Sequence, residues 1–423
     1  MKCFSILFST SHVIHCSRLF LYSLIITVLF WPLLVNCETS QENMDSKAVP
    51  AAIAKFSAKF CNELVKDRSV VSSPLSAEFV LALLTLGSTN EVHTELLTSL
   101  GIPDDDSIRS SFSAVSSKLK SIKGITLNVA NKVYIKDGPY ELNENLKQDA
   151  IKVFDSDFQK LDFNNGAAAA GIINKWVEDK TNNRIKDLLS ADSFNDLTRL
   201  VLVNALYFKG TWAEQFDSTF TRPRPFHVGE GKTIDVPMMY KEDRYKYGIS
   251  EELNAQFLQL DYIGGEASMV IVLPNEINGL DGILQKLAAG HDLMHDINQM
   301  VKTKLEILIP KFKIETEIDL TALLPKLGIN AIFEPSNTGL NKLLNTEEAL
   351  YVSTAVQKAF IEVNEEGAEA AAATAVRIRT RRSLPAPPRQ FTADRRALWC
   401  LLLGSTVAMT ASYTPPTSTH DEL

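Results

Sequence analysis

The segment Arg199–Trp212, RLVLVNALYFKGTW, contains an almost unbroken apolar run. A strand with one solvated face alternates polar and apolar residues, so this run predicts a strand covered on both faces. The chain must therefore build a sheet with packing layers above and below it. Its surroundings supply both. Ile53, Phe56, Phe60 and Leu64 recur at helical spacing, and SSPLSAEFVLALLTLGSTNEVHTELLTSLG predicts a buried helix followed by a second. TLNVANKVYIK places Leu127, Val129, Val133 and Ile135 at alternate positions, as a strand with one wet face does. SMVIVLP, LEILIPKFKIETEIDL and ALYVSTAVQKAFIEV add further strands. Helices dominate early and strands late, with both interleaved, so the expected class is α+β with large sheets.

No repeat or long low-complexity linker divides the 423 residues, and a formal charge of −8 argues against nucleic acid as a partner. Motifs for chemistry are incomplete. Gly231-Lys232-Thr233 lacks the upstream glycine of a phosphate loop, Phe226 standing in its place. His291 and His295, in HDLMH, have helical spacing but no third ligand nearby, so two surface histidines are expected rather than a metal site. With no G-x-S-x-G elbow and no set of nucleophile, base and orienting group, neither enzymatic activity nor a cofactor is expected. Cys61 and Cys400 are expected as buried thiols, a bridge between them being left open.

The two ends of the sequence carry addresses. Lys2 and Arg18 precede LFLYSLIITVLFWPLLVNC, which reads as a signal peptide over residues 1–37, cleaved after Cys37. The alternative is an uncleaved anchor, because the run approaches the roughly 20 residues that span a bilayer; Pro32 and the Val35-Asn36-Cys37 ending favour cleavage, leaving no membrane segment. His420, Asp421, Glu422 and Leu423 form an endoplasmic-reticulum retrieval signal on a polar tail, 416–423. The expected location is the endoplasmic-reticulum lumen and secretory pathway, with secretion as a further destination and a retrieval receptor as a partner.

Between these ends, NEEGAEAAAATAVRIRTRRS sorts by parity when drawn as a strand. Ala368, Ala370, Ala372, Thr374, Val376, Ile378 and Thr380 share one face. Gly367, Glu369, Ala371, Ala373, Ala375, Arg377, Arg379 and Arg381 share the other, which carries the charges. The pattern is that of a strand with one side in a core and one in water; a helix over Ala370–Ala373 or a solvated loop are the rival readings. An alanine face gains little by burial, so its use is to fit a narrow slot. Insertion between existing strands would satisfy backbone groups at about 1 kcal/mol per bond, roughly 10 kcal/mol over about ten residues. One charge on the buried face would cost several.

KAFIEVNEEGAEAAAATA, SSPLSAEFVLALLTLGSTNEVHTEL, NALYFKGTW and PKFKIETEIDLTALLPKLGI resemble the serpin family over essentially Ala51–Pro415, the first being close to the hinge of insect inhibitory serpins. The resemblance implies one domain, 38–415, with three β-sheets, about eight to nine helices and an exposed reactive loop at about 364–390. It implies a monomeric suicide inhibitor of serine proteases, whose cut loop enters the main sheet while the protease remains bound as an acyl-enzyme. The hinge would comprise Glu365, Glu366, Gly367, Ala368, Glu369, Ala370, Ala371, Ala372, Ala373 and Thr374. Arg379-Thr380-Arg381-Arg382 fits the Arg-x-Arg-Arg preference of furin-like proprotein convertases, placing the reactive bond at Arg382-Ser383 with Arg377, Arg379 and Arg381 as recognition residues. Counting from Gly367 by the family register places it instead at Arg381-Arg382, which suits a trypsin-like protease.

Ser73, Ser76 and Asn204 match the family's shutter, where Gln357 replaces a usual histidine. Ser69 replaces an asparagine, Arg396-Ala397 replace Pro-Phe, and Ala411 stands where glycine is common. The segment after Ala375 reads as an alternative cassette on a shared body. A non-inhibitory resident chaperone and an inhibitor of secreted trypsin-like proteases are the competing functions, and the small-residue hinge weighs against the chaperone.

Overall fold

Every residue of Leu200–Phe208 is buried, because the strand they form lies inside a layered sheet with helices on both faces. The computed structural model describes residues 49–138, 141–344, 349–367 and 388–416. The expected signal peptide and retrieval signal lie outside the described residues. So do the hinge from Ala368 to Thr374, Arg377, Arg379, Arg381, Arg382 and Ser383. Of the unit Met1–Ala51 only the helical residues 49–51 are described, and from Ala52 onward the chain forms one compact unit.

In chain order the helices are α1 (49–62), α2 (Pro74–Leu86), α3 (Asn90–Leu100), α4 (Asp105–Ser121), α5 (Glu144–Lys152), α6 (Gly166–Lys180), α7 (Leu280–Ala288), α8 (Leu293–Asn298) and α9 (Leu320–Leu323). The strands are β1 (Val70–Ser72), β2 (Ile125–Lys136), β3 (Asp157–Leu161), β4 (Leu200–Gly210), β5 (Arg222–Gly229), β6 (Lys232–Ser250), β7 (Ala255–Asp261), β8 (Ala267–Pro274), β9 (Val301–Pro310), β10 (Phe312–Asp319), β11 (Val352–Val363), β12 (Arg389–Thr392), β13 (Leu398–Leu403) and β14 (Thr406–Ser412). Caps set the helix starts. Ser73 accepts from the Ser76 N–H with Pro74 in the first turn of α2, and Asp104 accepts from the Ser107 N–H at the start of α4.

One sheet has five strands in the order β10-β11-β4-β2-β3. The other path runs β1-β14-β13-β8-β7-β6-β9-β12, with β5 also on β6. The 19-residue β6 divides this path. Lys246–Ser250 of β6 pair with β7, whereas the stretch before them pairs with β5 and β9. The fold is thus α+β with three sheets, two of them sharing β6, and nine helices among the described residues.

Two expectations need correction. β2 does not keep a wet face along its length: Val133, Tyr134 and Ile135 are all buried, because α6 covers the face that carries Tyr134. His291 is no surface residue. Its Nδ1 meets Glu252 at 3.0 Å and its Nε2 meets Asp296 at 2.7 Å, whereas His295 is exposed. No group of metal-ligating side chains occurs among the described residues. As expected, Cys61 and Cys400 are buried free thiols, with no bridge between them, in the apolar cluster between α7 and the β8/β13 face. Burial pushes the Cys61 thiol up to about 11 against the pull of Thr410 and Ser72.

Candidate functional site at the seam of the five-stranded sheet

β4 and β11 are direct neighbours and run parallel, Val352 opposite Leu200 through Phe360 opposite Tyr207. Parallel neighbours lack the tight-hairpin connection available to antiparallel ones, so a seam runs between two halves of the sheet. β10 and β11 make one half; β4, β2 and β3 make the other. On one face Leu206 of β4 lines a small cavity with Ser76 and Phe79 of α2. On the opposite face Val203, Ala205 and Tyr207 of β4, with Val356 and Phe360 of β11, pack in one cluster with Ala169, Ala170, Ile173 and Val177 of α6.

The hinge end of the seam is pinned. Glu365 is buried, with its carboxylate 2.9 Å from the Lys311 ammonium and accepting from the Thr221 hydroxyl at 2.9 Å. Burial alone would raise its pKa, but Lys311, a backbone N–H and Thr221 together hold it below the ordinary 4.5. The Trp212 indole donates to the Asn364 carbonyl at 2.9 Å, and the Trp212 and Phe216 N–H groups donate to the Glu366 and Glu365 carbonyls at 3.0 and 2.8 Å. Gly367 forms antiparallel bridges to both Thr211 and Asn364. Its φ of +115° suits glycine, and a Cβ there would lie 2.6 Å from the Trp212 nitrogen.

The shutter residues are brought together midway along the seam. Gln357 is fully buried, and its amide is fully used. Its oxygen accepts from the Ser73 N–H at 2.9 Å, while Nε2 donates to the Ser73 carbonyl at 2.8 Å and to Asn204 Oδ1 at 2.7 Å. Ser73 Oγ donates to the Ala408 carbonyl at 2.7 Å. Asn204 in turn donates to Ser76 and to Asn131, which also accepts from the Ser76 hydroxyl at 3.2 Å. An amide has replaced the expected imidazole without leaving the cluster unsatisfied. Asn131 went unnoticed in the sequence, although a polar residue in a core-facing position of β2, opposite Asn204, was the available signal.

Ser69 and Ala411 are accommodated, whereas the Nε of Arg396 is buried with no hydrogen-bond partner among the described residues. Ser69 Oγ donates to the Thr414 carbonyl at 2.7 Å and accepts from its N–H at 3.0 Å. Arg396 faces Asp281 at 3.7 Å, Ala397 is buried, and Ala411 pairs with both Val71 and Trp399.

Two strands therefore bracket residues 368–387 in the chain: β11, followed by Gly367 at the pinned end of the seam, and β12, which lies parallel to β9. A family model described as serpin (serine protease inhibitor) matches residues 51–398, and the chain belongs to this family. Antitrypsin of Bombyx mori is 45% identical over 350 residues, covering 82% of this chain and 88% of that protein. Alaserpin of Manduca sexta is 44% identical over 324 residues, covering 76% of this chain and 82% of that protein. Among solved structures, Serpin48 of the insect Tenebrio molitor superposes with a TM-score of 0.78 at 30% identity, covering 88% of this chain and 99% of that one.

Proposed function

We propose that this serpin traps a serine protease by inserting its cut loop between β4 and β11, with furin-like proprotein convertases as the target class. The observation that carries the reading is a coincidence of register. Seven steps from the Gly367–Thr211 bridge, an antiparallel continuation sets Thr374 opposite Asn204. Seven steps from the Gly367–Asn364 bridge set it opposite Gln357. Asn204 and Gln357 are already partners across the seam, so both ladders lead one new strand into one slot.

The same register revises the expectation of a wet face. Ala368, Ala370 and Ala372 would face the α2 side, as Leu206 and Asn204 do. Ala371, Ala373 and Ala375 would enter opposite Tyr207, Ala205 and Val203, beneath α6. Both faces of this stretch need small residues, which accounts for an alanine run better than alternation does.

Arg379-Thr380-Arg381-Arg382 supports the convertase class, since permanently charged guanidinium forks suit carboxylate-lined subsites. The addresses read in the sequence favour a target met in the secretory pathway. A trypsin-like target is the second reading, supported by the family register at Arg381 and by the relative named antitrypsin. Incubation with furin tests the proposal: it predicts an SDS-stable complex joined through the residue before the cut, at Arg382. Complete loop cleavage with no complex would make the protein a convertase substrate only.

A further inference from the structure

A cleft of about 20 Å³ opens between the end of α1, α7 and the strands β1, β13 and β14, and shares no residue with the seam. Leu280, Leu284 and Leu398 give it a buried apolar floor, and Val65 stands half exposed at its side. The charged residues lining it, Lys66 and Arg396, are both cations. Where Arg396 stands the family usually has proline, so this cation is a feature of the chain and not of the fold. Its Nε is buried with no hydrogen-bond partner among the described residues, and the Asp281 carboxylate lies 3.7 Å from another of its nitrogens. Burial pushes the guanidinium below its ordinary 12.5, against the pull of Asp281 and Asp67. A desolvated guanidinium with a donor to spare is a partly supplied anion site.

The chain itself ends beside this cleft. Ser412, the last residue of β14, lines it, and so does Val70, which follows Ser69. The Ser69 hydroxyl holds Thr414 by its carbonyl and its N–H, so the chain leaves the body at the cleft's edge. Exposed Pro416 lies at most about 14 Å along the chain from Ser412, at up to about 3.6 Å per residue. The seven residues that follow, TSTHDEL, reach up to about 25 Å, enough to double back. They finish with Asp421, Glu422 and Leu423, an acidic end carrying one branched apolar side chain. One water needs about 10–15 Å³, so a cleft of about 20 Å³ accepts the tip of such a side chain and no ring.

We propose that the tail 417–423 docks in this cleft, with Leu423 on Leu280 and Leu284 and the acidic end on Arg396 and Lys66, and so withholds HDEL from its retrieval receptor. The tail then supplies the anion that Arg396 lacks. Docked chains travel onward and undocked chains are retrieved, so the strength of docking sets the share of protein that leaves the cell. That consequence rests on HDEL being a retrieval signal. The docking itself depends neither on that reading nor on loop insertion.

Carboxypeptidase trimming of the intact full chain, followed by mass spectrometry, reads the docking. Wild type should lose Leu423 roughly tenfold more slowly than the free peptide TSTHDEL, equivalent to about 1.4 kcal/mol of docking. Arg396→Gln should approach the peptide's rate, and so should Lys66→Gln, which lies on the half-buried rim and serves if the first variant misfolds. Wild type trimmed as fast as the peptide overturns the docking, as does a tail still protected in both variants. Protection that grows with protein concentration would make the occupant a second copy's tail and overturns docking within one chain. Secretion from expressing cells reads the consequence. Arg396→Gln should lower the secreted share severalfold, and the difference should vanish in chains whose signal is disabled by Glu422→Ala and Leu423→Ala. A difference that persists there overturns the masking. If disabling the signal in wild type leaves secretion unchanged, the retrieval reading falls and the masking with it, while the trimming result still decides the docking.

Discussion

Replacing Gln357 with leucine tests the centre of the seam, because its volume is kept while all three amide bonds disappear. The Ser73 carbonyl retains a second partner, the Ala77 N–H at 3.2 Å. The Ser73 N–H and Asn204 Oδ1 are left buried with no other partner among the described residues. An orphaned buried group costs about 1–3 kcal/mol, so the pair predicts a loss of about 2–6 kcal/mol from the uncut protein. Unfolding entropy of about 2.1 cal/mol/K per residue gives roughly 0.8 kcal/mol/K for a unit of this size, hence a Tm about 3–8 °C lower. Gln357→His should cost about half as much, since a neutral imidazole offers one donor and one acceptor. Melting followed by near-ultraviolet circular dichroism at pH 7 measures both. A leucine variant within about 1 °C of wild type would show that the cluster does not stabilise the closed sheet.

The hinge anchor should respond to acid. Because Glu365 is held below its ordinary 4.5, its contribution is complete above that pH and fades as the pH falls through the folded value. Uptake of a synthetic peptide with the sequence of residues 368–380, scored as heat-resistant protein, should therefore accelerate in acid for wild type, and Glu365→Gln should be fast at every pH; parallel pH profiles would refute the anchor. His291 behaves oppositely. Burial opposes its charge, but Asp296 and Glu252 raise its pKa above 6.5, so its contribution is present below that value and lost as the pH rises through the folded one. The Tm advantage of wild type over His291→Gln should shrink between pH 6 and pH 9, and a constant advantage would contradict the clamp. In the loop, Ala371→Arg and Ala372→Arg should both turn inhibitor into substrate, since Tyr207 and Phe360, which would flank Ala371, are 4% and 3% exposed. An Ala371→Arg protein that still forms protease complexes would restore the one-wet-face reading.

How far the sequence revealed the structure depends on the range of the interaction involved. The unbroken apolar run of β4 declared a doubly covered strand, and Pro74 after Ser73 declared a helix start, because both are local facts. β2 misled, since its Lys132 and Tyr134 look solvated until α6, whose Trp176 covers them, is put in place. His291 misled for the same reason: Glu252 lies on a distant turn, so no helical spacing reveals it. Ser73, Ser76, Asn204 and Gln357 were legible through their resemblance to a family, but Asn131 was not. Lys311 gave no sign. Its partner, Glu365, comes from another part of the chain, and only the seam makes that contact meaningful.

The stability of the protein before and after a single cut at the arginine cluster is the most direct measurement. About ten new backbone bonds, at roughly 1 kcal/mol each against roughly 0.8 kcal/mol/K, predict a Tm at least about 12 °C higher once the loop is cut. An unchanged or lowered Tm after complete cleavage would mean that the seam admits no strand.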